Sequence, residues 1–380
     1  MTNRSFLFFL PTKTFFGVGV TQGIGELCAQ KRVMVVTTGL RRTGILNRII
    51  REAGTPADLI VFDEIEPNPT CESVDKGGFL ARVNEIEVII ALGGGSALDA
   101  AKGIACLRDE REELLDASSG IRSYLSGERA FTRRHTQLIA IPTTSGTGSE
   151  VTNVAVFSDP ANRLKKSIVS PWFWNDYAYV DPELTLTVPD KHTAATGLDA
   201  LVHAVESYWA LSSTPFSEPI ALEAIKLILD NLTQGYRNPE DRVARTNLSL
   251  GSLMAGIAFS QTRTTILHAL SYPLTVDYHL EHGFACSVLL KPMLQTNAPL
   301  IPEKMARLLD YLGSPSLDAL LERIEGLMQS INAPTRLSTV GVQEEELESI
   351  ADQTMRSPIT KLNPKSFTRE ELVDWLKEYR

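Results

Sequence analysis

The segment EVIIALGGGSALDAAKGIA, residues 87–105, restricts the possible folds of this chain more than any other stretch. A continuous apolar run enters three glycines and a serine, and a helical pattern follows. Such a run, with no polar alternation, suits a strand buried on both faces of a parallel sheet. VMVVT (33–37), DLIVF (58–62) and QLIAIP (137–142) have the same character. Between them, GILNRIIREAG and SVDKGGFLARVNE can form crossover helices. This rhythm predicts an open α/β sheet with right-handed crossovers. Residues 108–130, rich in Glu, Arg and Ser, read as a solvated helical excursion between strands.

After DPELTLTVPD (181–190) the pattern becomes helical throughout, over 191–210, 217–234, 240–258, 284–296, 302–312, 315–331, 343–353 and 368–379. The expected division is an α/β domain over 1–188 and an all-helical domain over 189–380. A length of 380 residues with 43% hydrophobic content supports two cores of that size. A net charge of −9 argues against nucleic-acid binding, which needs clustered cations to neutralise phosphates. The 4 cysteines, Cys28, Cys71, Cys106 and Cys286, are far apart, so neither a disulfide framework nor a cysteine zinc site is expected. The apolar run before Pro11 is too short for a signal core, and no stretch approaches the roughly 20 apolar residues of a membrane span. The expected location is cytoplasmic, with no membrane partner.

Gly93, Gly94 and Gly95, followed by Ser96 at a helix start, would present bare backbone N–H groups and the positive helix end to a phosphate. The run is not GxGxxG, so on its own it also fits a simple tight turn. A second loop, PTTSGTGSEVT (142–152), follows another apolar strand and carries Thr143, Thr144, Thr147 and Thr152. Two glycine and hydroxyl loops at strand C-termini suit a nucleotide crevice.

In TGLDALVHAVES, Asp199 and His203 stand four residues apart and share one helical face among apolar neighbours. A satisfied hydrogen-bonded pair is one reading of DxxxH. The chain holds only 6 histidines, and His268 and His282 bracket ALSYPLTVDYHLE. One carboxylate and three imidazoles form a four-donor set for a borderline divalent ion such as Zn²⁺ or Fe²⁺.

GGGSALDAAK, PTTSGTGSEVT, DPELT, TGLDALVHAVES and HALSYPLTVDYHLEHG, in that order, resemble the iron-containing (group III) alcohol dehydrogenases over nearly the whole chain. The resemblance implies a dehydroquinate synthase-like fold: a dinucleotide-binding α/β domain, a helical domain and a metal between them. It implies metal ligation by Asp199, His203, His268 and His282. It also implies dinucleotide contacts from Asn68, Gly95, Ser96, Thr143, Thr144, Thr147, Thr152 and Lys165. Gly94 and Asp99 are added to that set, with a helix-surface salt bridge to Lys102 as the alternative role for Asp99. The implied chemistry is hydride transfer between NAD(H) and an aldehyde whose oxygen meets the metal. A homodimer or larger homo-oligomer is implied as well.

Two departures from the family pattern bear on specificity. Many relatives carry an Asp after the first strand to read the adenosine ribose; here Thr38 stands there, followed by Arg41 and Arg42. NAD(H) is expected, and NADP(H) stays open. Many relatives also have a further His where this chain has Tyr272, and a small or apolar residue where it has Arg263. A guanidinium there would bind an oxyanion; the alternative is a solvated helix start. The TRTT…HALSYPLT variant is similar to the branch acting on sulfoacetaldehyde and phosphonoacetaldehyde. Catalytic roles therefore fall to His268, Tyr272 and Arg263. One arginine satisfies a monoanionic sulfonate better than a phosphonate, so reduction of sulfoacetaldehyde to isethionate is expected. Phosphonoacetaldehyde reduction and oxidation of neutral short-chain alcohols are the alternatives. A dehydroquinate synthase-like lyase and a silent nucleotide-binding protein are more distant ones.

Overall fold

The computed structural model describes residues 5–110, 120–162 and 164–380. The chain divides into two compact units. One comprises Leu10–Thr144 and Gly148–Thr187; the other comprises Val188–Arg380, Ser145–Thr147 and the residues up to Phe9. The segment 1–188 is thus not one continuous piece, because two short stretches go with the helical unit.

The α/β unit holds β1 (Lys13–Phe16), β2 (Arg32–Thr37), β3 (Asp58–Phe62), β4 (Val88–Gly93), β5 (Gln137–Pro142), β6 (Val154–Asp159), β7 (Leu164–Val169) and β8 (Tyr177–Val180). Its helices are α1 (Gly25–Cys28), α2 (Ile45–Glu52), α3 (Cys71–Val83), α4 (Gly95–Asp109) and α5 (Ile121–Ser126). Six strands form a parallel sheet in the order β1-β8-β5-β4-β2-β3, and β6 pairs β7 as an antiparallel hairpin. The four strands legible as apolar runs are the inner β2, β4 and β5 and the edge strand β3. Successive residues serve opposite faces. Met34, Val36, Ile89, Ala91, Leu138 and Ala140 pack with α3 and α4, while Val33, Val35, Val88, Ile90, Leu92, Ile139 and Ile141 pack with α2. Burial on both sides is why β2, β4 and β5 lack polar alternation, and each fully buried Val, Ile or Leu contributes roughly 1.5–3 kcal/mol.

The excursion expected over 108–130 falls partly on 111–119, outside the described residues. Among the described residues, α4 runs on to Asp109 and α5 is a single short helix. The strands β1, β8 and the hairpin were not evident from the sequence, being short or only partly apolar.

The helical unit contains α6 (Asp190–Trp209), α7 (Ser217–Arg237), α8 (Arg242–Thr262), α9 (Ile266–Asp277), α10 (His282–Ser287), α11 (Leu290–Asn297), α12 (Pro302–Leu312), α13 (Leu317–Ser330), α14 (Leu347–Met355) and α15 (Arg369–Tyr379). From Thr193 onward α6 is buried everywhere except at Thr196, so it is an enclosed core helix and not an amphipathic surface one. The helix expected over 284–296 is two, with Pro292 seated in the first turn of α11, where its missing N–H costs nothing. α9 escaped sequence detection because Pro273 lies inside it. Among the described residues, no helix is long and apolar enough to cross a membrane.

Candidate active site

On α6, Asp199, His203 and Glu206 occupy one stripe at i, i+4 and i+7, all buried. Asp199 Oδ1 lies 3.8 Å from His203 Nδ1, 3.5 Å from His268 Nε2 on α9 and 3.8 Å from His282 Nε2 on α10. The helical unit therefore brings together all four residues of the expected metal set. A tetrahedral ion with bonds of about 2.0–2.1 Å would separate its donors by roughly 3.4 Å, so these spacings need little contraction.

Three of the facing atoms, Asp199 Oδ1, His203 Nδ1 and His268 Nε2, are buried and have no hydrogen-bond partner. Leaving a buried polar atom unsatisfied costs about 1–3 kcal/mol, more when it is charged. Their convergence, with chemistry suited to a borderline divalent cation, shows that the residues fit such an ion. Burial works to raise the Asp199 carboxyl, but His203, His282 and His268 outweigh it and hold the group below the usual carboxylate range. Burial pushes His203 down to about 4, so it stays a neutral ligand at physiological pH. His203 is sandwiched by Phe259 and His268, with ring centroids at 4.3 and 4.4 Å.

Two residues join the site that the sequence reading did not include. Glu206 accepts a 2.6 Å contact from His268 Nδ1 and further hydrogen bonds from the Thr265 and Leu267 backbone N–H groups. The Thr265 hydroxyl donates to Glu206 at 2.5 Å and itself receives Trp209 Nε1. This fixes the tautomer of His268 with Nε2 turned to Asp199, the usual orienting device behind a metal-bound imidazole. The i+7 spacing from Asp199 was visible, but a helical Glu ordinarily reads as solvated. The other is Cys286. Among the described residues, the group whose ligand atoms all lie within 4.8 Å of one another is Asp199, His268, His282 and Cys286. No cysteine zinc site is expected from the sequence; the Cys286 thiol nevertheless lies beside the cluster, one turn along α10 from His282 and without a CxxC pair.

Arg263 ends α8 with φ 67° and ψ 172°, a backbone region that glycine alone occupies without strain. Its N–H bonds the carbonyl of Phe259, the ring stacked on His203, and its guanidinium interacts electrostatically with Tyr272, one turn after His268 on α9. Burial lowers its pKa, and a guanidinium still stays charged at any physiological pH. Among the described residues Tyr272 is its charge-bearing influence, and no carboxylate contributes. A solvated helix start does not describe this half-buried cation.

In the α/β unit the strand order reverses between β2 and β4, where an open sheet forms its ligand crevice. Thr37 pairs with Leu92 there, which places Thr38 next to Gly93. Gly93 has φ 151°, and a Cβ on it would stand 2.8 Å from Ala97 and 3.5 Å from the Thr38 hydroxyl. Gly94 caps α4 without a side-chain hydrogen bond, and no acidic residue lies in the first turn, so N–H groups are left for an anion. Asn68 donates its N–H to Ser96 Oγ at 3.1 Å and accepts from Lys165 Nζ at 2.9 Å. Thr143 N bonds Gly93 O, and Thr144 packs over Gly94. These residues share one rim.

Asp99 and Thr152 serve it from behind. Asp99 accepts from Ser149 Oγ and Val156 N, and Thr152 accepts from Lys102 Nζ. Lys102 is fully buried and also donates to Ser149 and Val154, so the Asp99–Lys102 pair is an internal brace and not a helix-surface salt bridge. Thr147 falls elsewhere, in the Ser145–Thr147 stretch of the helical unit. There Ser145 bonds Ser249, and Gly146 packs on Thr196 and offers its carbonyl to His203.

Comparison with known proteins gives a consistent picture. A family model described as iron-containing alcohol dehydrogenase matches residues 11–182, and one described as the C-terminal part of the Fe-containing alcohol dehydrogenase family matches 193–379. An NADPH-dependent butanol dehydrogenase of Clostridium saccharobutylicum is 31% identical, covering 96% of this chain and 95% of its own length. A sulfoacetaldehyde reductase of Bilophila wadsworthia is 30% identical, covering 98% of each chain. The crystal structure of sulfoacetaldehyde reductase from Bifidobacterium kashiwanohense in complex with NAD+ superposes with a TM-score of 0.92 at 30% identity, covering 99% of each chain.

Proposed function

This chain belongs to the iron-containing alcohol dehydrogenase family and is an oxidoreductase, and from that premise we propose that it reduces a short anionic aldehyde, sulfoacetaldehyde in the first place, with NADH. A divalent ion on Asp199, His203, His268 and His282 would supply Lewis acidity at the substrate oxygen, and a dinucleotide on the glycine rim would supply hydride. The remaining work belongs to the chain's own side chains. Arg263 grips the anionic end through a bidentate pair and so orients the carbonyl. Tyr272, one turn after His268 on α9, offers a phenol proton to the alcohol oxygen. Phe259 shields His203 from water, and Glu206 holds His268 in its ligating tautomer.

The observation that carries the substrate class is Arg263: a half-buried cation without a carboxylate partner among the described residues, in a backbone conformation that costs energy to keep. A single cation favours sulfonate over the more highly charged phosphonate. NAD(H) is preferred because Arg41, one of the two arginines after Thr38, is engaged by Asp63. The relative solved with NAD+ supports the same choice.

The test is steady-state kinetics with sulfoacetaldehyde, phosphonoacetaldehyde and propionaldehyde, each with NADH and NADPH, on wild type and Arg263→Ala. Loss of a charge-assisted pair should lower kcat/KM for the sulfonate roughly ten- to hundredfold and leave propionaldehyde nearly unchanged. Equal losses on the charged and neutral aldehydes would reject the anion pocket.

A further inference from the structure

We propose that Cys286 is itself a ligand of the ion, which gives this site a soft sulfur donor and a preference for zinc over iron. The inference rests on the metal-site reading above and goes beyond it, since that reading uses only Asp199 and three histidines. Cys286 follows His282 by four residues on α10, so some proximity between them is a property of any helix. The rest of its surroundings is not. Its Sγ lies 3.7 Å from His282 Nε2 and within 4.8 Å of donor atoms on Asp199 and His268, which come from two other helices.

The thiol is 0% exposed, and the pocket it faces contains Asp199 and His268, each 4% exposed with a buried atom that makes no hydrogen bond. A zinc ion with bonds of about 2.3 Å to sulfur and 2.0 Å to nitrogen separates those donors by roughly 3.5 Å, close to what is seen. His203 Nδ1 lies 3.8 Å from Asp199 Oδ1 although it is outside this tight group, so Cys286 adds a donor beside the four already described. On binding, the thiol proton passes to solvent and the thiolate takes the coordination bond. Thiolate favours zinc and its cobalt surrogate, whereas a set of carboxylate and imidazole donors suits iron as well as zinc chemistry and selects less between them. The other three cysteines, Cys28, Cys71 and Cys106, belong to the α/β unit and take no part.

The experiment strips the full-length protein of metal and titrates it with Co²⁺, reading the visible d–d bands for occupancy and the near-ultraviolet thiolate-to-cobalt band for sulfur ligation. Wild type should show both, saturating together. Cys286→Ser and Cys286→Ala should retain the d–d bands and lose the thiolate band. In competition, their zinc-over-iron preference should fall by about tenfold or more. A Cys28→Ser/Cys71→Ser/Cys106→Ser triple variant should keep the thiolate band, and this assigns it to Cys286 even if the Cys286 variants do not fold. Wild-type d–d bands with no thiolate band would overturn the proposal and leave the metal site standing. A thiolate band that survives Cys286→Ser would overturn it too. Absence of any cobalt bands would overturn both.

Discussion

Glu206 Oε2 lies 2.6 Å from Nδ1 of His268, and the same carboxylate gathers the N–H groups of Thr265 and Leu267 at the start of α9. One buried group thus orients a metal-facing imidazole and caps the helix that carries it. Burial raises the Glu206 carboxyl, but His268 and Thr265 more than reverse this, so it is held ionised below the usual range. Glu206→Gln keeps the shape and removes the charge. Its affinity for Zn²⁺, measured by chelator competition, should drop about 10- to 100-fold. Unchanged affinity would reduce Glu206 to a helix cap.

Arg263 should display a trade between stability and function. Its φ of 67° with ψ 172° strains any residue with a side chain, by about 1–3 kcal/mol. Arg263→Gly should therefore raise the unfolding free energy by about 1 kcal/mol in urea, while discrimination between sulfoacetaldehyde and propionaldehyde collapses. Destabilisation on Arg263→Gly would mean the backbone is relaxed with arginine in place.

A pH effect follows from Glu150 in the α/β unit. Burial pushes its carboxyl from 4.5 up to about 7, only partly offset by its backbone hydrogen bond and Lys102. Between those two values the folded chain holds a proton that the unfolded chain has released. Stability from this group is therefore present below pH 4.5 and is lost as pH rises through about 7. Its size is at most about 3 kcal/mol. Denaturation of wild type and Glu150→Gln at pH 5 and pH 8 should show the variant gaining relative stability at the higher pH. A constant difference between the two would contradict the assignment.

Gly283 follows the ligand His282 and touches α6 so closely that a Cβ would lie 1.7 Å from the Ala195 carbonyl oxygen. Gly283→Ala must push α10 away from α6 and carry His282 with it. Metal affinity should fall at least about tenfold with a lowered Tm, whereas Gly313→Ala, with no neighbour in reach of its Cβ, should leave metal affinity unchanged.

The two-unit character of the chain was legible because burial imposes different periods. β2, β4 and β5 are apolar on consecutive residues, and the helical half shows its turns in spacing. α9 was hidden by Pro273, and β1 and β8 by their length of four residues. At the site, Asp199 and His203 could be paired from i, i+4 spacing alone. Their meeting with His268 and His282 depends on how α9 and α10 pack on α6, which no spacing along the chain encodes. Glu206 and Cys286 were missed for chemical reasons: a helical carboxylate usually faces water, and a cysteine without a near partner usually packs as a small apolar group. Asp99 shows the reverse, a charged residue beside the glycine rim whose oxygens are taken up by Ser149 and Val156.

Metal content is the most direct test. The chain should be purified without added metal, reloaded with Zn²⁺, dialysed and analysed by mass spectrometry, alongside Asp199→Ala and His282→Ala. Wild type should retain one divalent ion per chain and the two variants close to none. Equal retention in all three, or none in wild type, would contradict the claim that these helices were packed around a cation.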